Sequence, residues 1–327
     1  MKTNLILIII IACVAAFSLQ GCSLLKKRVE KKEKITYRIN GKDKVSFSLE
    51  NTNGRINVTN TDDTLGYITI EAEKLADVKP DEADKPISNI SISIDTTGNS
   101  VKIETEITSE KGFFKKRNTE SVNYDVKIPA NMKVRVENVN GSITISRINN
   151  EVNAETVNGA LNIFNCTGML SLTSVNGGIV CNLDSLSKGV VIDVVNGKIQ
   201  LGGLANVNAD VEASTSNGRI KFNNLNFNNL NAERKSLTGT LGKGGNIIKV
   251  SSVNGSINFD ANKIVSKKKS DEFEFKIDFD DDDEPIRITG KDGDIEIHKL
   301  HDEDSLPKGP GKTGTDTPGN ADSLKKK

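Results

Sequence analysis

Eight copies of one apolar pattern surround a glycine along the chain. Around Gly177, apolar side chains stand seven and five positions before the glycine, at Leu170 and Leu172, and two and four positions after it, at Ile179 and Cys181. Alternation with period two on both sides of a glycine predicts two half-buried strands joined at a tight corner, where the glycine supplies a positive φ. The eight repeat glycines are Gly54, Gly141, Gly159, Gly177, Gly197, Gly218, Gly255 and Gly293.

The spacing of these glycines indicates how the strand pairs are arranged. From Gly141 to Gly218 they recur every 18 to 21 residues, and Asn precedes the glycine in seven of the eight copies. Such a period is typical of solenoids, and recurring residue types suit parallel ladders in which each coil lies about 4.8 Å above the last. The pattern therefore predicts an all-β fold, a parallel β-solenoid with coils of about 18–21 residues. The alternative is an antiparallel β-hairpin meander, because Asn-Gly between alternating strands is also a strong hairpin signal.

The regular repeat occupies only part of the chain. We assign residues 129–300 to the solenoid. Residues 35–128 are less regular and are expected to form an N-terminal β cap that covers the free edge of the first coil. Within this cap, residues 91–107 predict an antiparallel hairpin, and the polar residues 71–86, with two prolines, predict a loop or short helix.

Two further segments depart from the period. The 37-residue gap between Gly218 and Gly255 holds a glycine-rich stretch around 239–245, which is either a degenerate coil or an excursion from the stack. At the far end, strands at 273–279 and 286–297 are expected to close the solenoid.

The N-terminus has the features of a secretory signal. An apolar run from Leu5 to Phe17 follows Lys2 and is too short to span a bilayer, which needs about 20 residues. Residues 1–21 are therefore predicted to be a signal peptide. The sequence Leu19-Gln20-Gly21-Cys22 resembles the lipobox of bacterial lipoproteins, in which the cysteine is acylated and becomes the new N-terminus. The alternative is an ordinary signal peptide with an incidental cysteine.

Two polar segments flank the predicted domain. Residues 22–34 are rich in Lys and Glu and predict a charged tether between the anchor and the domain. Residues 301–327 contain three prolines, several glycines and few apolar side chains, so they predict a disordered tail.

Composition excludes several classes of partner. The chain has 44 basic and 44 acidic residues, and this balance argues against nucleic acid as a partner. Aromatic residues make up 4% and Trp is absent, so a stacking platform for sugars or bases is not expected. The sequence carries no phosphate-binding loop, zinc-ligand spacing or nucleophile elbow. We therefore expect no cofactor.

Cys166 and Cys181 are the two cysteines of the predicted domain. If the coils stack in register, the two residues are displaced by three positions along neighbouring strands, which is about 10 Å. A disulfide needs Cα atoms within about 7 Å. We expect two free thiols with Cys181 buried; a disulfide is the alternative, since corners can bend.

Candidate chemistry lies at outward positions. Glu137 and Glu155 each stand four residues before a repeat glycine and are expected about 5 Å apart in one column, where paired carboxylates can share a proton or a cation. The acidic run 278–284 offers oxygen ligands of the kind that Ca²⁺ prefers, without the spacing of an EF-hand loop. His298 and His301 have no second ligand cluster nearby in sequence. We interpret all of these as solvated surface and expect no metal site and no catalytic residue.

One stretch carries a family resemblance. The segment VNYDVKIPANMKVRVENVNGSITIS, residues 122–146, is followed by the units ETVNG, TSVNG, DVVNG and SSVNG. Together they resemble the bacterial "putative adhesin" domain family of unknown function, and the similarity spans residues 35–300. The resemblance implies a β-solenoid in an envelope protein. It implies no catalytic residues, because the family has none established.

These observations lead to a hypothesis about function. We expect a non-enzymatic cell-envelope lipoprotein, anchored to a membrane by lipid on Cys22, whose adhesin-like solenoid presents a binding or scaffolding surface to a protein or polysaccharide. The outer membrane or cell surface is favoured over the inner membrane. The alternatives are a β-helical polysaccharide-degrading enzyme, which would need acids with basic and aromatic neighbours, and an accessory protein of envelope stress or signalling.

The lipobox-like sequence predicts that Cys22 is acylated. In cells grown with radiolabelled palmitate, the wild-type chain should incorporate label and Cys22→Ala should not. Equal labelling of the two chains, or none in either, would contradict the anchor.

Overall fold

The structure, a computed structural model, describes residues 28–61, 66–108, 120–183 and 185–264, together with the backbone of three later strands. The chain divides into two compact units, Met1–Ile264 and Val265–Lys327. The predicted signal peptide, Cys22 and the tail 301–327 lie outside the described residues.

Almost all of the described chain is β-strand. The N-terminal region contains β1 (Val29–Asn40), β2 (Ser46–Asn53), β3 (Ile56–Asn60), β4 (Tyr67–Val78), β5 (Ile90–Asp95), β6 (Ser100–Ile107) and β7 (Ser121–Ile128). The repeats continue with β8 (Lys133–Asn140), β9 (Ile143–Ser146), β10 (Val152–Asn158), β11 (Leu161–Phe164), β12 (Leu170–Asn176), β13 (Ile179–Asn182), β14 (Val190–Asn196), β15 (Ile199–Gly202), β16 (Ala209–Thr215) and β17 (Ile220–Asn223). Then follow β18 (Phe227–Ala232), β19 (Ser236–Leu241), β20 (Asn246–Asn254), β21 (Ile257–Asp260), β22 (Phe273–Ile277), β23 (Ile286–Lys291) and β24 (Asp294–Lys299).

Seven of the eight repeat units form parallel coils, so the solenoid prediction is confirmed. The strand before each glycine joins an eleven-stranded sheet, in the order β18-β19-β16-β20-β14-β12-β10-β8-β2-β6-β5. The strand after each glycine joins a ten-stranded sheet, in the order β1-β4-β7-β3-β9-β11-β13-β15-β21-β17. Equivalent residues pair in register: Leu170, for example, lies between Val152 and Val190. For these seven units the hairpin meander is therefore wrong.

The hydrophobic core lies between the two sheets. In six of the seven coils the four apolar positions point inward and are buried, as at Leu170, Leu172, Ile179 and Cys181. In the Gly218 coil, Ile220 is only partly buried and Phe222 is 37% exposed. Complete burial of an aliphatic side chain contributes about 1.5–3 kcal/mol, and the register keeps these positions stacked from coil to coil. Tyr124 is the largest fully buried side chain, and its hydroxyl lies 2.7 Å from Thr105 Oγ1; burial raises the pKa of Tyr124.

The coils at the C-terminal end of the stack are out of chain order. The unit of Gly255 lies between the units of Gly197 and Gly218, because β20 pairs with β14 and β16, and β21 pairs with β15 and β17. Strands β18 and β19 form an antiparallel pair that extends the eleven-stranded sheet beyond β16. The stretch around 239–245 is therefore an excursion and not a degenerate coil.

At the N-terminal end of the stack, strands that come later in the chain lie outside the first coil. Strand β2 pairs with β8 on one side and β6 on the other, so the Gly54 coil lies inside the stack rather than at its end. Beyond it, β5 and β6 form the predicted hairpin, while β7, β4 and β1 extend the ten-stranded sheet. The cap region thus contributes one complete coil.

Two expected boundaries differ. Residues 29–34, predicted as tether, belong to β1, which pairs with β4 along its whole length. Residues 71–78 extend β4, so only Pro80–Glu82 forms the short helix expected within 71–86, as a single 3₁₀ turn. Among the described residues, no helix is long and apolar enough to cross a membrane.

The eighth unit differs from the other seven. Strands β23 and β24 pair antiparallel with each other, and β22 pairs antiparallel with β23. This three-stranded sheet has the hairpin geometry of the alternative interpretation, so the prediction of a parallel coil here is wrong. Gly293 itself lies outside the described residues.

Cys166 and Cys181 are both free and Cys181 is buried, as expected; Cys166 is buried as well. Burial raises the pKa of the Cys166 thiol to about 11 and also raises the pKa of the Cys181 thiol. Both side chains therefore serve as small apolar groups in the core.

The repeat glycines are required for a reason other than the predicted positive φ. Gly54 and Gly141 do have φ values of 117° and 139°, but Gly159, Gly177, Gly197, Gly218 and Gly255 lie outside the left-handed region. At every one of the seven corners, a Cβ would meet a backbone carbonyl of the neighbouring strand or coil; at Gly177 it would lie 1.7 Å from the oxygen of Gly159. Only glycine permits the corners to approach so closely.

This steric constraint predicts that Gly177→Ala is already destabilising. The methyl group must displace a backbone carbonyl in the middle of the stack, which should cost about 3 kcal/mol or more, at the upper end of overpacking effects. The measurement is the free energy of unfolding in urea. Gly98→Ala is the matched control, because Gly98 has a φ of 63° and open space around its Cβ position, so only left-handed strain of about 1 kcal/mol applies. If Gly177→Ala costs no more than Gly98→Ala, close approach is not the reason for the glycine.

Candidate functional site

A continuous ladder of asparagine side chains runs along the glycine corners. In each of six steps, one side-chain amide donates to the Oδ1 atom of the next asparagine at 2.8–3.0 Å. The coils that stack out of chain order are part of the ladder, because Asn254 lies between Asn196 and Asn217. The ladder contains, in stack order, Asn53, Asn140, Asn158, Asn176, Asn196, Asn254 and Asn217.

The backbone at the same corners bonds in the opposite direction. Gly177 N donates to Asn196 O at 3.0 Å, while Asn196 Nδ2 donates back to Asn176 Oδ1 at 2.9 Å. The same exchange occurs at Asn254, which accepts from Gly197 N and donates to Asn196. Each such asparagine therefore binds the neighbouring coil twice, and aligned amides in a row polarise one another.

A second polar row lies inside the corner, three residues before six of the seven glycines; before Gly197 this position is Val194. Asn138 Nδ2 donates to Gly54 O at 2.7 Å, and Thr215 Oγ1 donates to Gly255 O at 2.9 Å. Thr156 and Ser174 make the equivalent bonds to Gly141 O and Gly159 O, both at 3.5 Å. These side chains are buried and satisfy carbonyls that would otherwise lack a partner at the turn. Sequence reasoning missed this row; its signal is the polar residue that interrupts the apolar inward positions.

Exposed valines lie beside the asparagine ladder. Val139, Val157, Val195 and Val253 are 40–44% exposed, and Val175 is partly exposed. They occupy equivalent positions two residues before the glycine in five stacked coils. We call these five valines and the seven ladder asparagines the valine-asparagine edge. At about 4.8 Å per coil it extends for roughly 30 Å.

The predicted acid pair lies on the outer face of the eleven-stranded sheet. Glu155 and Glu137 are register partners, and Glu50 continues the column. Arg135 lies between the acids: its Nε atom donates to Glu137 Oε1 at 2.6 Å, and one of its terminal nitrogens lies 3.6 Å from Glu155. The hydrogen bond to Glu137 raises the pKa of Arg135.

Lys102 has a similar role at the next pair, since it contacts both Glu50 and Glu104. Basic side chains therefore accompany the acids on this face. Arg135 and Lys102 pair with the acids of the column, and Glu137 and Glu155 both contact the guanidinium of Arg135.

A shallow groove of about 560 Å³ separates this acidic column from the valine-asparagine edge. Its lining includes Glu137, Glu155, Val139, Val157 and Val175 and no aromatic side chain. No group of three or more His, Cys, Asp or Glu within the described part of the chain is arranged to hold a metal ion. The groove offers hydrogen bonds, charge and apolar contact, which suit binding.

The other predicted site residues lie apart from this surface or cannot be placed. Cys22, His301 and the run 278–284 lie outside the described residues. For His298 the structure gives only the backbone, within β24.

Comparison with known proteins identifies the architecture. A family model described as Toastrack DUF4097 matches residues 25–260. Among solved structures, the chain is similar to a "putative cell adhesion protein" from Clostridium sporogenes, with 14% identity and a TM-score of 0.41, over 71% of this chain and 99% of that one. It is also similar to a "putative adhesin" from Bacteroides fragilis, with 13% identity and a TM-score of 0.26, over 69% of this chain and 96% of that one. No curated protein matches the chain.

The asparagine ladder predicts that Asn176→Asp destabilises the stack. The aspartate keeps the bond from Asn196 but loses the donor to Asn158 and places a carboxylate against that oxygen. We expect a loss of about 1–3 kcal/mol in the free energy of unfolding, the range for a group left facing an unpaired partner. The loss should shrink as the pH falls toward about 4, where a protonated Asp can donate again.

Asn162→Asp is the matched control for charge. Asn162 lies on the outer face of the ten-stranded sheet, outside the ladder, so its substitution should change stability by no more than about 0.5 kcal/mol. Equal effects of the two substitutions would show that the ladder contributes nothing specific.

Proposed function

Since the chain belongs to the Toastrack family, we propose that it is a non-enzymatic, lipid-anchored protein of the bacterial cell envelope whose stacked coils present a binding or scaffolding surface. The observation that carries this proposal is the valine-asparagine edge. It is periodic: each of the seven coils offers an asparagine amide, and five of them also offer a valine.

Physical chemistry favours a partner for this edge. An isolated exposed valine needs no explanation, but four valines at 40–44% exposure in neighbouring coils form a contiguous apolar strip, and such strips on soluble surfaces mark interaction sites. The ladder holds the adjoining amides in fixed orientations, so little side-chain entropy is lost when a partner docks. A repetitive strip of this kind fits an extended partner, either a protein strand or a polysaccharide chain.

The alternative of a polysaccharide-degrading enzyme is disfavoured by the acid pair. General acid and base catalysis by two carboxylates needs one of them protonated near neutral pH. Glu137 and Glu155 instead both contact one guanidinium, that of Arg135. The lining of the neighbouring groove also lacks the aromatic platform that would orient a sugar ring.

A lipid anchor on Cys22 would place the stack of coils close to a membrane. Strand β1 begins at Val29, seven residues after Cys22, and seven extended residues span at most about 25 Å. The N-terminal end of the stack would then lie near the bilayer.

Substitutions that add negative charge to the valine-asparagine edge test whether it binds a partner. The polypeptide that begins at Ser23 should co-sediment with cell-envelope fragments of the bacterium that produces it. Val157→Glu combined with Val195→Glu should reduce the bound fraction about tenfold, because two buried carboxylates would disrupt an apolar contact of this size. Thr144→Glu combined with Asn162→Glu, on the outer face of the ten-stranded sheet, is the matched control and should bind like wild type.

The same incubations test the enzyme alternative. Assays for new reducing ends or unsaturated products, on a panel of neutral and acidic polysaccharides, should show no turnover. Turnover that disappears in Glu137→Gln or Glu155→Gln would show that the protein is an enzyme and would contradict the proposed binding role. Equal sedimentation of the edge variant and wild type would remove the edge as the binding surface, and an accessory role within the envelope would then gain support.

A further inference from the structure

A second groove lies at the C-terminal end of the coil stack and has the opposite charge. Its volume is about 930 Å³. Its lining contains five basic side chains and no carboxylate; the rest is mainly amide and hydroxyl side chains, with Ile257 as the one sizeable apolar residue. We call it the basic groove, after Lys198, Arg219, Lys221, Arg234 and Lys235.

The out-of-order coils assemble this groove. Lys198 and Arg219 directly follow the corner glycines Gly197 and Gly218, whose coils lie on either side of the inserted Gly255 coil. The turn between β18 and β19 brings Arg234 and Lys235 to the same corner. Ile220 N donates to Arg234 O at 3.0 Å, and Thr215 N donates to Lys235 O at 2.9 Å. Residues far apart in sequence therefore converge on one concavity.

The cations of the basic groove are not neutralised by the described part of the protein. None of the five forms an ion pair with a described carboxylate, and all five side chains are exposed. Several outward cations elsewhere are paired, as in Arg55 with Asp125 at 2.8 Å and Lys133 with Glu151 at 3.2 Å. A cleft lined by one sign of charge concentrates its field and attracts counter-ions.

We propose that the basic groove binds a linear anionic glycopolymer of the cell envelope, one that carries regularly spaced carboxylates or phosphates. Lys198, Lys221 and the arginines would pair with the anionic groups, since charge-assisted hydrogen bonds to such groups are the strong ones. Asn217, Asn223 and Asn258, which also line the groove, would donate to and accept from the hydroxyls between them. This inference names a ligand class for the proposed binding role and rests on that role, but it uses a different surface.

Other polyanions fit the groove less well. A membrane surface is flat and is bound through exposed apolar side chains, whereas this groove is concave and nearly devoid of them. Single-stranded nucleic acid is held by stacking on aromatic rings, and none lines the groove.

The test measures binding of the Ser23 polypeptide to five probes. These are polygalacturonate as the carboxylate polymer, poly(glycerol phosphate) as the phosphate polymer, dextran as the neutral polymer, DNA, and phosphatidylglycerol vesicles. We expect the protein to bind polygalacturonate, poly(glycerol phosphate) or both, with an affinity that falls as the NaCl concentration is raised. The polymer that binds more tightly shows whether the groove prefers carboxylate or phosphate.

Two charge-matched variants decide whether the groove is responsible. Arg219→Gln, Lys221→Gln, Arg234→Gln and Lys235→Gln together should weaken binding about tenfold or more, since four exposed charge contacts are lost. Four lysines serve as the control, each exposed and without an ion pair to a described carboxylate; they are Lys42, Lys85, Lys127 and Lys188. Their combined substitution by Gln should change the affinity by no more than about twofold. Urea unfolding should be unchanged in both variants, because all of the altered side chains are exposed.

Three outcomes would overturn the proposal. One is the absence of binding to both charged glycopolymers, and another is an equal loss in the control variant, which would indicate diffuse attraction without a site. The third is tighter binding to DNA or to vesicles than to either glycopolymer, which would assign the groove to another partner. Val157→Glu with Val195→Glu should leave glycopolymer binding intact, so failure of the groove and failure of the edge can be told apart.

Discussion

The close approach of successive glycine corners is the constraint on which the rest of the structure depends. The carbonyl oxygen of one corner occupies the space that a Cβ of the next would fill, 1.7 Å away at Gly177. This approach lets the backbone ladder run through the corner instead of breaking at it. It also brings Asn176 and Asn196 within hydrogen-bond distance, so the asparagine ladder follows from the absence of a side chain beside it.

Because every coil presents the same corner and the same inward apolar residues, any coil can stack on any other. The protein uses this equivalence at the C-terminal end of the stack, where the Gly255 unit lies between the Gly197 and Gly218 units. Strands that do not belong to the seven coils cover the ends of the stack. They are β18 and β19 at one end, and β5, β4 and β1 at the other. Free strand edges would otherwise favour edge-to-edge association.

The surfaces that can bind a partner arise from the same geometry. Stacking turns one exposed valine per coil into a strip, and one asparagine per coil into a ladder. On the sheet face it turns isolated acids into a column, which Arg135 and Lys102 then neutralise. The regular repeat stops at the C-terminal end of the stack. There the turn that carries Arg234 and Lys235 helps to form a groove lined by basic side chains and no carboxylate. Regular coils thus supply extended surfaces, and the irregular end supplies a local one.

The sequence by itself determined the strands and their inward faces, since period-two alternation around a repeated glycine sets both. It favoured parallel stacking but did not decide it, because the Gly293 unit has the same pattern and its strands pair antiparallel. It also placed Glu137 beside Glu155 and left Cys166 and Cys181 unpaired. It could not give the order of the coils, because residues that match in every repeat do not specify their neighbour. Nor could it show why Gly177 is glycine, or that Lys198, Arg219 and Arg234 share one groove. Those features depend on contacts between backbones and loops distant in sequence, which only the tertiary structure decides.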